Sequence, residues 1–308
     1  MSPRRRDPGG GLHLPPAILL LGIRQLGRRV LNPALPWDVQ RRRLNQLASG
    51  QPLPRGTTVS QTVMDCVPAH VVSTGGAGSA GTVVHFHGGG YCVGSPKLAH
   101  TWAAKVSAAT GCRIVLPDYR LAPEHPYPAA LDDARAVLKA VLAEGGAAPV
   151  VLSGDSAGGG LALALTLALR DEGSELPAGC ILLSPWLDLA ADRRSDQELV
   201  RRDVLLSPDW LEACVRAYAA PDQWAEHHVS PLGADLRGLP PLLVQVASDE
   251  LLFPDAQQLV AAASAAGIEV THSLWPGLWH DFPLQAGLLA AADSAVAQAA
   301  WFVRTVTA

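Results

Sequence analysis

From Thr82 onward, short apolar runs alternate with longer stretches whose apolar residues recur every three or four positions. The short runs are Val83–His87, Arg113–Pro117, Val150–Gly154, Ile181–Ser184, Leu242–Ala247 and Val270–Leu274. They have the length and the Val/Ile/Leu content of strands. Helical spacing falls near 97–110, 129–144, 157–170, 255–266 and 285–304. Strands that are apolar at nearly every position must be buried on both faces, so the pattern predicts an α/β fold: a mostly parallel central sheet covered by helices on both faces. Ahead of it, 57–64 and 67–73 alternate as an antiparallel pair at a sheet edge would, and Gly75 to Gly81 reads as a turn.

Two stretches stand outside this rhythm. Leu14 to Leu31 and Pro36 to Leu47 have helical spacing, the second opened by Pro36, while residues 1–13 are rich in Pro, Gly and Arg and read as disordered. The interval 187–238 holds no clear strand and one helix, opening at Ser207-Pro-Asp-Trp210. An insertion that does not extend the sheet is expected above the carboxyl ends of the strands. Leu14 to Leu31 is too apolar to stand alone in water and is expected to dock on it. The chain therefore divides into helices over 1–50, a first core part over 51–186, an insertion over 187–238 and a second core part over 239–308, the first and third together forming a helical cap.

Length and composition narrow the picture. The 308 residues, 48% hydrophobic and 17% charged, suit one large globular domain. A net charge of −4 argues against nucleic acid or an acidic membrane surface as the main partner, and the clusters Arg4 to Arg6 and Arg41 to Arg43 read as solvated. Five widely spaced cysteines without a CxxC read as reduced, mostly buried residues, which points to a cytoplasmic setting. The amino terminus imitates a signal peptide but lacks a small-x-small cleavage site, and no run approaches the ~20 apolar residues needed to span a bilayer. No membrane insertion is expected; a homodimer is left open.

The chemistry centres on Gly154-Asp-Ser-Ala-Gly158, which follows a strand and opens a helix. A turn tight enough to push Ser156 off the strand end leaves no room for Cβ atoms beside it, hence the glycines. The helix start offers free N–H groups to an oxyanion, that of Ala157 first. After the strand Val83–His87 come Gly88, Gly89 and Gly90, whose bare N–H groups would complete an oxyanion hole. A serine nucleophile needs a base, and the base an orienting acid. Of ten histidines, His280 lies after the last strand, on the same sheet edge as Ser156. The acid is Glu250 or Asp249, which follow Leu242–Ala247 and project in opposite senses. Trp279, because it adjoins His280, is expected to line the acyl pocket, together with Tyr91 and Asp155. Asp118 and Arg120 are expected to form a structural polar network beneath the site. His85 and His87 share a strand face without further ligands, so neither metal nor cofactor is expected.

These segments resemble the hormone-sensitive-lipase branch of the α/β-hydrolase esterases, bacterial family IV. The resemblance rests on His87-Gly-Gly-Gly90, Asp118-Tyr-Arg-Leu-Ala-Pro-Glu-His-Pro-Tyr-Pro-Ala-Ala130, Gly154-Asp-Ser-Ala-Gly-Gly159, Ser184-Pro-Trp-Leu-Asp188 and Pro276-Gly-Leu-Trp-His280, and runs from about residue 36 to the end. It implies an α/β-hydrolase fold with a helical cap, Ser156 as nucleophile, His280 as base, and a carboxylesterase acting on short- or medium-chain acyl esters through an acyl-enzyme. The family's acid motif, Asp with Leu two residues on and Asp four residues on, is only partly present: Glu250 is followed by Leu252 but by Pro254, and Asp249 by Leu251 and Phe253. Glu250 is the preferred register. An amidase or lactonase using the same triad is the nearest rival. A receptor of the gibberellin-binding type, which lacks the histidine, is disfavoured by His280.

Overall fold

The computed structural model describes residues 13–49, 53–78, 80–145 and 148–308. Apart from His13, the stretch expected to be disordered lies outside them, as does Ser79 of the expected turn. In chain order the elements are α1 (Pro16–Val30), α2 (Trp37–Ala48), β1 (Thr57–Met64), β2 (Val67–Thr74), β3 (Thr82–Phe86), α3 (His100–Thr110), β4 (Arg113–Pro117), α4 (Ala129–Gly145), β5 (Val150–Asp155), α5 (Ala157–Asp171), β6 (Gly179–Leu183), α6 (Gln197–Arg202), α7 (Pro208–Tyr218), β7 (Leu242–Ala247), α8 (Phe253–Ala265), β8 (Val270–Trp275) and α9 (Ala290–Val306). The strands form one sheet in the order β1-β2-β4-β3-β5-β6-β7-β8. β1 and β2 are antiparallel at one edge, β2 runs antiparallel to β4, and all other pairs are parallel.

Successive strand residues enter opposite faces, which is why the strands are apolar throughout. Val84, Leu152, Leu182 and Val244 pack under α4, α5 and α8. Their neighbours Val83, Val151, Ile181 and Leu243 pack under α3 and α9. All eight are wholly buried. Each such side chain contributes about 1.5–3 kcal/mol on burial, enough for β5, in the middle of the sheet, to serve as a rigid mount for whatever follows it.

The interval 187–238 carries two α-helices instead of the expected one, and two short 3₁₀ turns, Pro221–Gln223 and Pro231–Gly233. α6 has only six residues, too few to show a period, but it is capped: Asp196 accepts from the N–H groups of Glu198 and Leu199. α1 docks beside this interval. Gly27 passes Leu205 where a Cβ would press on the leucine side chain, and Arg28 Nη2 donates to Asp203 O at 2.9 Å. α1 also packs Leu19, Leu20 and Ile23 on the core beneath α9. α2 is held by Arg41, which donates to Cys92 O and Ala122 O, and by buried Gln40, which accepts from Trp210 Nε1. Arg120 departs from expectation: its guanidinium grips Asp133 on α4, not Asp118. The helix start placed Asp133 one turn from the loop, where a bidentate fork fits. Among the described residues, no helix is long and apolar enough to cross a membrane. Cys66 is exposed and the other four cysteines are buried, all free.

Candidate active site

At the end of β5 the backbone reverses at Ser156, with φ 53° and ψ −121°. For a non-glycine residue this conformation costs about 1–3 kcal/mol. The surroundings hold it in place: Ser156 N–H donates to Leu183 O at 2.9 Å, and Ser156 O accepts from Gly159, Gly160 and Trp186. A Cβ on Gly154 would overlap the Gly158 carbonyl, and one on Gly158 would overlap Phe86 O. The two glycines are thus dictated by crowding between β5, α5 and β3, as neither has a positive φ.

His280 stands in the loop after β8. That loop is fastened to the turn after β7: Ser248 N–H donates to Trp275 O, Asp249 N–H to Leu278 O, and Gly277 N–H to Ser248 Oγ. The fastening brings His280 Nε2 to 2.9 Å from Ser156 Oγ and its Nδ1 to 3.3 Å from Glu250 Oε2. Ser184 Oγ donates to the same Glu250 oxygen at 2.8 Å. All three groups are buried. This hydrogen bonding assigns the tautomer: Nδ1–H faces the carboxylate, and the Nε2 lone pair faces the serine hydroxyl. Burial pushes the Glu250 carboxyl up, against the pull of His280 and Ser184. Burial disfavours the imidazolium too, but the Asp281 and Glu250 carboxylates overrule it and raise His280 well above the ordinary histidine range. Serine, imidazole and carboxylate stand in the order that a base-activated nucleophile requires.

Asp249 is turned away. Its Oδ1 accepts from Ser248 Oγ at 2.7 Å and lies 3.8 Å from Arg202 Nη1, near the surface.

In the glycine loop, Gly88 N–H donates to Asp155 Oδ2 at 2.9 Å, so it is already engaged and does not face a substrate oxygen. The expected three glycine donors become two. Gly89, at φ 119°, and Gly90, at φ 61°, adopt backbone that favours glycine. Among the described residues, their N–H groups and that of Ala157 have no protein acceptor. Asp155 is braced in turn by His85 Nε2 at 3.0 Å, and His87 Nδ1–H donates to Gly88 O.

Ser156 and His280 form the floor of an apolar cavity of about 440 Å³, within the range of small-molecule sites. Its walls are Ile18, Leu19, Gly22 and Ile23 of α1, Leu44 and Leu47 of α2, and Leu205, Leu206 and Trp210 of the insertion; Asp155 also lines it. Tyr91 and Trp279 do not. Tyr91 is buried and stacked on Tyr218 at 3.8 Å. Trp279 is buried in the core beneath α9, its Nε1 donating to Gln285. Each adjoins a site residue, but its own side chain points into packing. Two site residues escaped the sequence reading. Ser184 opens the segment Ser184-Pro-Trp-Leu-Asp188, where nothing in the sequence marks its role. Asp281, next to His280, places Oδ2 3.2 Å from His280 Nε2; its adjacency was the available signal.

The α/β-hydrolase-fold family matches residues 83–284. An acetyl-hydrolase of Streptomyces hygroscopicus is 40% identical over 228 residues, 73% of this chain and 76% of that protein. An esterase of Acinetobacter venetianus is 37% identical over 226 residues, 73% of this chain and 75% of that protein. Among solved structures, a hormone-sensitive lipase from a metagenome library superposes with a TM-score of 0.90 at 33% identity, covering 96% of this chain and 99% of that one. Fold, motifs and relatives agree: the chain belongs to the α/β-hydrolase family, in its hormone-sensitive-lipase-like branch of ester hydrolases.

Proposed function

We propose that the chain is a serine carboxylesterase that cleaves short- to medium-chain acyl esters through an acyl-enzyme intermediate. The observation that carries this reading is the hydrogen-bonded series Ser156–His280–Glu250 at the floor of an apolar cavity. The names of the relatives, an esterase and an acetyl-hydrolase, support it. Ser156 Oγ attacks the acyl carbon while His280 Nε2 takes its proton and Glu250 steadies the imidazolium. The N–H groups of Gly89, Gly90 and Ala157 receive the oxyanion; one such donor is typically worth about 10²–10³ in rate. Nε2–H then protonates the leaving alkoxide, and water, activated by the same nitrogen, releases the acid.

An organophosphate should label Ser156 alone and abolish turnover; labelling of another serine would overturn the assignment. Chromogenic acetate should show a burst of one equivalent if deacylation is the slower half.

In this reading, residues 1–50 and 187–238 act as a cap whose inner wall sets the acyl length. Gly22 tests it, because a Cβ there meets no atom within 4 Å and opens into the cavity. Gly22→Phe should fill that space without displacing backbone. Excluding about two methylenes at about 0.8 kcal/mol each lowers kcat/KM by roughly 15-fold for decanoyl esters while acetyl esters are spared. The check is kcat/KM across p-nitrophenyl esters from acetyl to decanoyl. An unchanged ratio of long to short chains would remove α1 from the acyl site.

A further inference from the structure

Asp281 takes no part in the cycle described above, yet it lines the cavity beside His280. Its Oδ2 is 3.2 Å from Nε2, the nitrogen that faces Ser156 and the leaving group, whereas Glu250 holds Nδ1. The backbone is at φ 56° and ψ 28°, a left-handed conformation that Asp tolerates better than most residues and that turns the side chain back toward its neighbour's ring. Asp281 N–H points to Ser184 Oγ at 3.3 Å, the hydroxyl that also serves Glu250.

The usual structural explanation for an Asp at this position fails. Asp281 precedes the short 3₁₀ turn Phe282–Gln285, but its side chain caps none of that turn's N–H groups. Its Oδ1 is buried without a hydrogen-bond partner. A carboxylate in that situation is costly unless its other oxygen finds a charge, and the imidazolium is the available one.

We propose that Asp281 is a second counter-charge for the imidazole of His280, set on the nitrogen that faces the leaving group, which strengthens the base and confines turnover to alkaline pH. The proposal rests on His280 being the general base.

The groups bearing on the ring come from every element around it, and all are acids: Glu250 from the turn after β7, Asp281 from the ring's own loop, and Asp203 from the insertion, with Asp155 at the end of β5 acting on Asp281. Among the described residues, no lysine or arginine forms an ion pair with any of them. Burial pushes the Asp281 carboxyl up to about 7. Above that pH the carboxylate and the imidazolium pair, and the proton on Nε2 lies between Asp281 Oδ2 and Ser156 Oγ. In this state the lone pair needed to accept the serine proton is occupied. Once the ring loses that proton the base is free, and the same carboxylate then favours the imidazolium that forms as Ser156 attacks.

Asp281→Asn keeps the shape and the left-handed backbone preference while removing the charge. The expected result is a pair of crossing profiles of kcat/KM for p-nitrophenyl butyrate between about pH 5 and about pH 9. An opposite charge this close moves a titration by roughly one to three pH units, so the acid limb of the variant shifts down by that amount. The variant is therefore faster than the parent above about pH 7, on the parent's acid limb, converges with it toward about pH 5 where Asp281 is itself neutral, and is several-fold slower on the alkaline plateau. Parallel profiles, or an equal loss at every pH, would overturn the proposal. Asp281→Gly, which also fits the left-handed backbone, should reproduce the shift, and a midpoint that moves in neither variant refutes it. Imidazole ¹⁵N titration of His280 reads the same protonation without turnover. His280→Ala keeps the two ideas apart: if it remains active the base is misassigned, whereas an inactive His280→Ala with an unmoved Asp281→Asn profile removes only Asp281.

Discussion

Ser156→Ala is expected to fold normally and to lose about 10⁶ in kcat, the scale seen when a triad nucleophile is removed from a serine hydrolase. The fold is spared because the hydroxyl does little structural work. The hydrogen bonds that pin the turn run through the Ser156 backbone, to Leu183 O and from Gly159, Gly160 and Trp186, and alanine keeps them all. The strain at φ 53° is the same for both residues. What disappears is the attacking oxygen, together with the 2.9 Å hydrogen bond that tells His280 Nε2 where to aim. Residual turnover should come from the free N–H groups of Gly89, Gly90 and Ala157 acting on water attack, a contribution worth about 10³ over the uncatalysed reaction. Burst amplitude and kcat with a chromogenic acetate, beside the thermal midpoint of each protein, check this. A variant with a tenth of the parent's turnover and an intact fold would place the nucleophile elsewhere.

The core strands were legible because a doubly covered parallel sheet writes itself as continuous apolar runs, and two helical layers as the spacing between them. The elbow was legible for a similar reason: crowding at Gly154 and Gly158 leaves few residue types possible. What stayed hidden was decided by contacts distant in sequence. Gln40 looks like a solvent residue on a polar helix but is buried because Trp210, far along the chain, needs an acceptor. Arg120 could have met either Asp118 or Asp133, and only the docking of α4 chose between them. Proximity in sequence also misled in two directions. Trp279 adjoins His280 yet turns into packing, since neighbours on an ordinary backbone diverge, and Tyr91 does so from a left-handed backbone at φ 61°. Asp281, also left-handed, adjoins His280 and converges on its ring. A sequence read by periodicity sees neither reversal. The departure from the family's acid motif is of the same kind: Pro254, where an Asp was expected, sits in the first turn of α8, and the charge next to it, Asp255, is taken up by Arg193 and by the N–H groups of Leu187 and Asp188.

Glu250→Gln is expected to lower kcat by about 10⁴ with KM little changed, the cost of an amide at this position in a serine protease triad. The physical reason lies in the imidazole's choice of tautomer. Glu250 Oε2 accepts from both His280 Nδ1–H and Ser184 Oγ, so it fixes the ring with its lone pair toward Ser156. A glutamine can turn its NH₂ toward Nδ1, and the Ser184 hydroxyl, which meets the same position, then accepts from that NH₂. The ring then carries its proton on Nε2 and can no longer take one from serine. The amide also withdraws the negative charge that balances the imidazolium of the transition state, in a place with no solvent to replace it, since Glu250 is wholly buried. The fold should tolerate the change, because burial already pushes the Glu250 carboxyl toward its neutral form. Asp249→Asn supplies the contrast. That side chain faces Ser248 and Arg202 near the surface, at a site where an ion pair is worth about 0–1 kcal/mol, and its backbone N–H keeps the bond to Leu278 O whatever the side chain. Asp249→Asn should therefore retain kcat within a few-fold. The two variants are to be compared in kcat and KM on one acyl ester, with near-ultraviolet circular dichroism to show that both are folded. If Asp249→Asn is the crippled variant and Glu250→Gln the mild one, the acid partner of His280 in the working enzyme is Asp249, and the turn after β7 must rotate by one residue before ester is cleaved.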